Sequence, residues 1–137
     1  MKASQIFWLI AEDDEDEAFL LRSCCRRLLP PPALSIFMDG AKAVDFLSQT
    51  AEAVQPPTLI ISDLKMPNLD GFEFLAWVKG QSRFRQVPFV ILTNSNLELD
   101  RSKARALGAD EYLVKPPTLE ELEKMLLAVL NRWCPPD

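Results

Sequence analysis

An α/β fold, with five helices doubly wound around a five-stranded parallel sheet, is what this sequence predicts. Three observations carry that expectation. Short apolar runs rich in β-branched and aromatic residues alternate five times with segments whose apolar residues recur at helical spacing, the pattern of parallel strands joined by crossover helices. Caps and turn residues (Asp39, Met66 to Gly71, Gly108, Thr118) fall between those segments rather than inside them. At 137 residues, 48% apolar and 26% charged, the chain suits one globular core and leaves no room for a second.

The elements follow in order. Ile6 to Ala11 reads as a buried first strand that breaks off in the acids Glu12 to Glu17. A helix comes next, with Leu20, Leu21, Cys24 and Leu28 on one stripe, and Pro30-Pro31-Pro32 is expected to stop it. Leu34 to Met38 is the second strand. Asp39 caps a helix carrying Ala43, Val44, Phe46 and Leu47, and a Gln/Pro loop at 51–57 leads onward. Leu59 to Ile61 is the third strand, Asp63 lies just past it, and Met66-Pro67-Asn68-Leu69-Asp70-Gly71 is a strong turn. The helix after that turn uses Phe72, Leu75, Ala76 and Val78. Phe89 to Leu92, ending at Thr93-Asn94-Ser95, is the fourth strand, and its helix runs to about Leu107 with Gly108 as C-cap. Tyr112 to Val114 is the fifth strand. Lys115-Pro116-Pro117 follows it, then a Thr118/Glu121 capping box opens a last helix with Leu119, Leu122, Leu126, Val129 and Trp133 on one face. The core is expected over about 5–133, with a short Pro-rich tail.

Composition excludes several classes of function. With 15 Lys plus Arg against 20 Asp plus Glu, the net charge of −5 gives no footprint for nucleic acid or an anionic membrane. No apolar run reaches the 18 or so residues of a membrane span and no signal-peptide layout opens the chain, so the cytoplasm is the expected location. Cys24, Cys25 and Cys134 make neither a disulfide framework nor a metal spacing and are read as reduced, inert thiols. Histidine is absent, which removes the usual general base and the commonest zinc ligand. Chemistry here must run on carboxylates, hydroxyls and lysine.

Those groups collect at strand ends. In an open parallel sheet ligands bind outside the carboxyl ends of the strands. The first strand ends in Glu12 and Asp13, the third in Asp63, the fourth in Thr93 and the fifth in Lys115. Three carboxylates at one edge repel one another unless a cation sits among them, and an all-oxygen set without His or Cys selects a hard ion, Mg²⁺ rather than a caged Ca²⁺. Taken singly, each residue has a plainer reading: a solvated acidic helix start for Glu12 to Glu17, a loop cap for Asp63, a backbone-bonded hydroxyl for Thr93, a surface amine for Lys115. Their convergence on one edge is what favours a site, for Glu12 and Asp13 but not for Asp16 or Glu17, which are read as solvent-facing.

The same residues resemble a known family. The acidic pair Glu12-Asp13, the block Asp63-x-x-Met66-Pro67-x-x-Asp70-Gly71, Leu92-Thr93 and Tyr112-Leu113-Val114-Lys115-Pro116, in that order, resemble the receiver domain of two-component response regulators over nearly the whole chain. Within it the chain looks most like stand-alone, phytochrome-associated receivers. The resemblance implies a flavodoxin-like sheet ordered 2-1-3-4-5 and a single receiver domain over 1–137 without an output domain. It implies Asp63 as phosphoryl acceptor, with Thr93 and Lys115 contacting phosphoryl oxygens. Glu12, Asp13, Asp63 and the Lys65 backbone carbonyl would be the Mg²⁺ ligands, and Thr93 with Tyr112 the switch pair. The implied donor is a sensor histidine kinase or phosphotransfer protein, phytochrome-type in the nearest subfamily, and the chain would catalyse only its own phosphorylation and dephosphorylation. The implied output is a changed surface of the fourth helix, fifth strand and fifth helix that binds a protein partner. Met125, Leu127 and Leu130 add apolar surface to the last helix, expected to serve a partner or homodimer face, against a helix with a wide buried stripe. Lys65, Asn94 and Glu12 depart from the residues common at those positions in the family.

Three other functions compete. A haloacid-dehalogenase-type phosphohydrolase needs a second carboxylate two residues after its nucleophile, where Lys65 stands. A flavodoxin-like cofactor carrier needs a phosphate-holding loop where Glu12 to Glu17 stand. A pseudo-receiver would keep the fold and bind a partner without phosphorylation.

Overall fold

The computed structural model describes residues 6–50 and 55–135. Residues 51–54 of the expected loop, residue 5 of the expected core and the end of the Pro-rich tail lie outside them. Five strands, β1 (Phe7–Ala11), β2 (Ala33–Phe37), β3 (Leu59–Ser62), β4 (Phe89–Thr93) and β5 (Glu111–Val114), form one parallel sheet in the order β2-β1-β3-β4-β5. The helices α1 (Glu15–Arg26), α2 (Gly40–Gln49), α3 (Gly71–Gly80), α4 (Glu98–Leu107) and α5 (Leu119–Trp133) alternate with them. The flavodoxin-like order is the expected one.

Strand alternation builds two apolar layers. Trp8 and Ile10 of β1, Leu59 and Ile61 of β3, and Val90 and Leu92 of β4 pack with Leu21, Cys24 and Cys25 of α1 and Leu126, Val129 and Leu130 of α5. Leu9, Ile60, Phe89 and Ile91 pack on the other side with Ala43 and Leu47 of α2, Phe74, Leu75 and Val78 of α3, and Ala104 of α4. The central strands are apolar at nearly every position because both their faces are covered.

Several local expectations are corrected. α1 ends at Arg26, ahead of the proline run, because the Arg27 and Leu28 N–H groups donate back to Cys24 and Cys25 and turn the buried Leu28 inward. Leu20 is exposed and Cys25 takes its place in the stripe. In α3 the buried ring is Phe74 while Ala76 faces out, and α3 begins in a capping box, Asp70 with Glu73, inside what reads as a plain turn. In α5, Leu130 is 2% exposed and Met125 packs on the core. The extra apolar residues thus widen the buried stripe, leaving Leu127 exposed, and the surplus that suggested a dimer face is largely consumed.

The loop between β3 and α3 is packed tightly enough to dictate two residues. A Cβ on Gly71 would lie 2.1 Å from the Asp63 carbonyl oxygen, and the Gly71 N–H donates to the Leu64 carbonyl at 2.8 Å. Asn68 takes the left-handed conformation at φ 66°, and its Nδ2 donates to Asp39 Oδ2 at 2.8 Å, fastening the loop to the start of α2. Gly71→Ala is therefore expected to lower stability by about 2 kcal/mol or more through overpacking against backbone, whereas Gly80→Ala, with nothing within 4 Å of its Cβ, should be close to neutral. Equal denaturation midpoints for the two variants would contradict this packing.

Candidate functional site

Sheet hydrogen bonding continues one residue past the strands and fixes the backbone of the site. The Glu12 N–H donates to the Phe37 carbonyl at 2.9 Å, the Asp63 N–H to Ala11 at 3.0 Å and the Lys115 N–H to Thr93 at 2.7 Å. Because all five strands are parallel, these residues leave the sheet at one edge. Their side chains then meet. Lys115 Nζ donates to Glu12 Oε1 at 2.8 Å, to Asp63 Oδ2 at 2.9 Å and to Glu17 Oε2 at 2.6 Å, so each of its three protons has a carboxylate acceptor. Asp63 Oδ1 accepts the Leu64 N–H at 2.6 Å, and Glu12 Oε2 accepts the Asp14 N–H at 3.1 Å.

Glu17 is the residue that sequence reasoning missed. It lies in the first turn of α1, and Asp14, the N-cap, accepts its N–H at 3.0 Å. That cap sets the helix phase and turns the Glu17 side chain toward the strand ends. Nothing within the acidic run marks Glu17: it stands five positions after Glu12, and the phase of α1 decides which acid is presented back over the edge. Asp13 behaves differently. It is exposed and borders an open cleft with Lys65, Asp70, Asp100 and Lys103, outside the tight group formed by Glu12, Glu17 and Asp63, whose oxygens lie within 4.8 Å of one another.

The electrostatics are those of a charge deficit. Three carboxylates face one ammonium, and burial of Glu12, which is 2% exposed, pushes its carboxyl up to about 7, because loss of hydration outweighs the attraction of Lys115. Burial opposes the charge on Lys115 too, but its hydrogen bonds to Glu12, Glu17 and Asp63 outweigh that and hold the ammonium charged well above its ordinary range. Hard oxygen donors carrying surplus negative charge fit a divalent cation. Glu12 and Asp63 are the buried donors, and Asp13 and the Lys65 carbonyl flank them in sequence.

Thr93 completes the edge. It is 2% exposed, and its Oγ1 accepts the Ser95 N–H at 3.3 Å, so its own proton is available to a ligand. A cavity of about 250 Å³ opens between Asp63, Lys65, Thr93 and the 94–97 loop. The Tyr112 hydroxyl donates to the Ser95 carbonyl at 2.9 Å, and the Arg101 guanidinium lies over the tyrosine ring at 4.6 Å from its centroid. Tyr112 is thus half-buried and tied to the loop that carries Thr93. The cysteines are buried, and burial pushes the Cys25 thiol up to about 12.

Residues 8–127 match the response regulator receiver domain. Response regulator Rcp1 of Synechocystis is 36% identical over 102 residues, 73% of this chain and 69% of that protein. Among the first curated relatives the match covers 60–69% of their own length. The phosphorylated cyanobacterial phytochrome response regulator RcpA superposes with a TM-score of 0.85 at 26% identity, covering 93% of both chains. The Mn²⁺-bound form of Rcp1 superposes with a TM-score of 0.83 at 32% identity, covering 93% of this chain and 94% of that one. Among the described residues no helix is long and apolar enough to cross a membrane.

The raised Glu12 pKa has a stability consequence. The folded chain holds this proton more tightly than the unfolded one, so the contribution of Glu12 is complete below pH 4.5 and is lost as pH rises through about 7. Metal-free protein should lose several degrees of Tm between pH 5 and pH 7.5, and Glu12→Gln should flatten that slope. Parallel slopes for the two proteins in thermal unfolding would show that Glu12 is not the strained acid.

Proposed function

The chain belongs to the response regulator receiver family, and on that premise we propose that it accepts a phosphoryl group from a histidine kinase or phosphotransfer protein onto Asp63. The observation that carries this reading is the contact of Asp63 Oδ2 with Lys115 Nζ at 2.9 Å beside the Thr93-lined cavity. Asp63 and Thr93 border that space with room for a phosphoryl group between them, and the Lys115 ammonium reaches Asp63 from beside it. The donor would be a protein of the phytochrome-associated kind, by analogy with the named relatives, and the working location the cytoplasm.

The step balances simply. A lone pair on an Asp63 carboxylate oxygen forms the new P–O bond, the P–N bond to the donor histidine breaks in line, and its electron pair stays on the imidazole. Mg²⁺ bound by Glu12, Asp13, Asp63 and the Lys65 carbonyl would supply the charge neutralisation that lets two anions approach. Lys115 holds the acceptor in place beforehand and meets a phosphoryl oxygen afterwards. The Thr93 hydroxyl donates to another oxygen, and its movement draws on the Ser95 segment. Because Tyr112 is bonded to the Ser95 carbonyl, that movement releases or re-seats the tyrosine and alters the surface of α4, β5 and α5. Hydrolysis reverses the gain: water attacks phosphorus, the P–O bond to Asp63 breaks, and the carboxylate is restored with release of inorganic phosphate. Asn94 and Lys65, exposed beside the cavity, set how freely that water enters.

Incubation with Mg²⁺ and acetyl phosphate should add one phosphoryl group to the native chain by intact-mass measurement and none to Asp63→Asn. A native chain that is folded, binds Mg²⁺ and gains no mass would leave the pseudo-receiver as the function.

A further inference from the structure

Lys115 has three N–H protons and all three are engaged by carboxylates, so a phosphoryl oxygen can reach it only by displacing one of them. The three are not equivalent. Asp63 carries the reacting group and stays. Glu12 is 2% exposed and its other oxygen is already held by the Asp14 N–H, so once detached from the ammonium it has no water to turn to. Glu17 has the shortest contact, 2.6 Å, yet its side chain is 31% exposed and it sits in the first turn of α1. Released, its carboxylate returns to water at a helix N-terminus, where negative charge is favoured. The cost of exchange is smallest there.

We propose that Glu17 is an exchangeable counter-ligand of Lys115: its carboxylate occupies the ammonium in the resting chain and a phosphoryl oxygen on Asp63 displaces it. This rests on the reading of Asp63 as phosphoryl acceptor and assigns the residue that competes with the phosphoryl group. Glu17 is a positioning residue in this scheme. It keeps Lys115 extended across the strand ends, and it lowers the affinity of the unphosphorylated site for free phosphate-like anions. Occupancy of Asp63 also becomes coupled to the start of α1, because the displaced side chain belongs to that helix's first turn.

The test uses beryllofluoride, a phosphoryl mimic, titrated into the Mg²⁺-loaded full chain and followed by backbone amide NMR. Glu17→Gln should bind it at a half-saturating concentration about 3- to 10-fold lower than the native chain, the scale of one partly exposed ionic contact. Glu17→Asp keeps the charge but falls a methylene short of Lys115, so it should follow Glu17→Gln. Unchanged affinity in Glu17→Gln overturns the proposal, and so does a Glu17→Asp variant that behaves like the native chain, since that result assigns the effect to the charge alone. A crystal structure of the native complex needs no variant to fold. Glu17 Oε2 should stand beyond about 4 Å, the limit of an ion pair, from Lys115 Nζ, and an intact contact overturns the proposal. Failure of the native chain to take up beryllofluoride at all would instead defeat the reading of Asp63.

Discussion

The arrangement depends on one buried ammonium. Lys115 is the cation that lets Glu12, Glu17 and Asp63 share a space in which their mutual repulsion and loss of hydration would otherwise keep them apart or protonated. It does so incompletely. Three carboxylates against one positive charge leave a deficit, the physical basis for recruiting a divalent cation, and burial, which is what raises the Glu12 carboxyl, adds to the cost of keeping that acid ionised. The same shortage makes the site responsive, since any group brought to Asp63 must rearrange an already balanced set of contacts.

What holds the ammonium in place is mostly backbone. Parallel pairing delivers Glu12, Asp63 and Lys115 to one edge, and one further hydrogen bond beyond each strand removes the freedom to fray. The β3–α3 loop is pinned by the close approach of Gly71 to Asp63 and by the Asn68–Asp39 contact. Burial pushes the Asp39 carboxyl upward, but the Lys42 N–H, Asn68 and Lys42 charge outweigh it and keep it below its usual range, as suits an acid that caps α2 and anchors the loop together. On the opposite flank, the loop from Thr93 to Leu97 is held by side chains: Ser95 Oγ donates to Asp100 Oδ2 at 2.5 Å and Tyr112 reaches the Ser95 carbonyl. Rigid backbone under the acceptor and side-chain latches on the neighbouring loop suit a site that must stay fixed while its surroundings shift.

Element order and the strand-end residues were legible in the sequence because both follow from local pattern: apolar runs name the strands, and parallel pairing fixes which end of each run faces the ligand. Burial on helices was less legible. Leu20 and Cys25 exchange roles in α1, as do Phe74 and Ala76 in α3, because apolar residues on adjacent positions leave the helix phase to be set by caps such as Asp14 and Asp70. The Met125 and Leu130 surplus on α5 has a related cause: the helix packs against α1 as well as the sheet, and the second contact widens its buried stripe. Glu17 escaped for a third reason. Within a run of six acids no sequence feature distinguishes the one whose side chain points inward, and only the start of α1 decides it.

A crystal structure grown with magnesium salt should show one cation beside Asp63, with Glu12 or Asp13 among its ligands and Lys115 still contacting Asp63. Carboxylates turned away from one another around an ion-free pocket, at a magnesium concentration that saturates related sites, would contradict that arrangement.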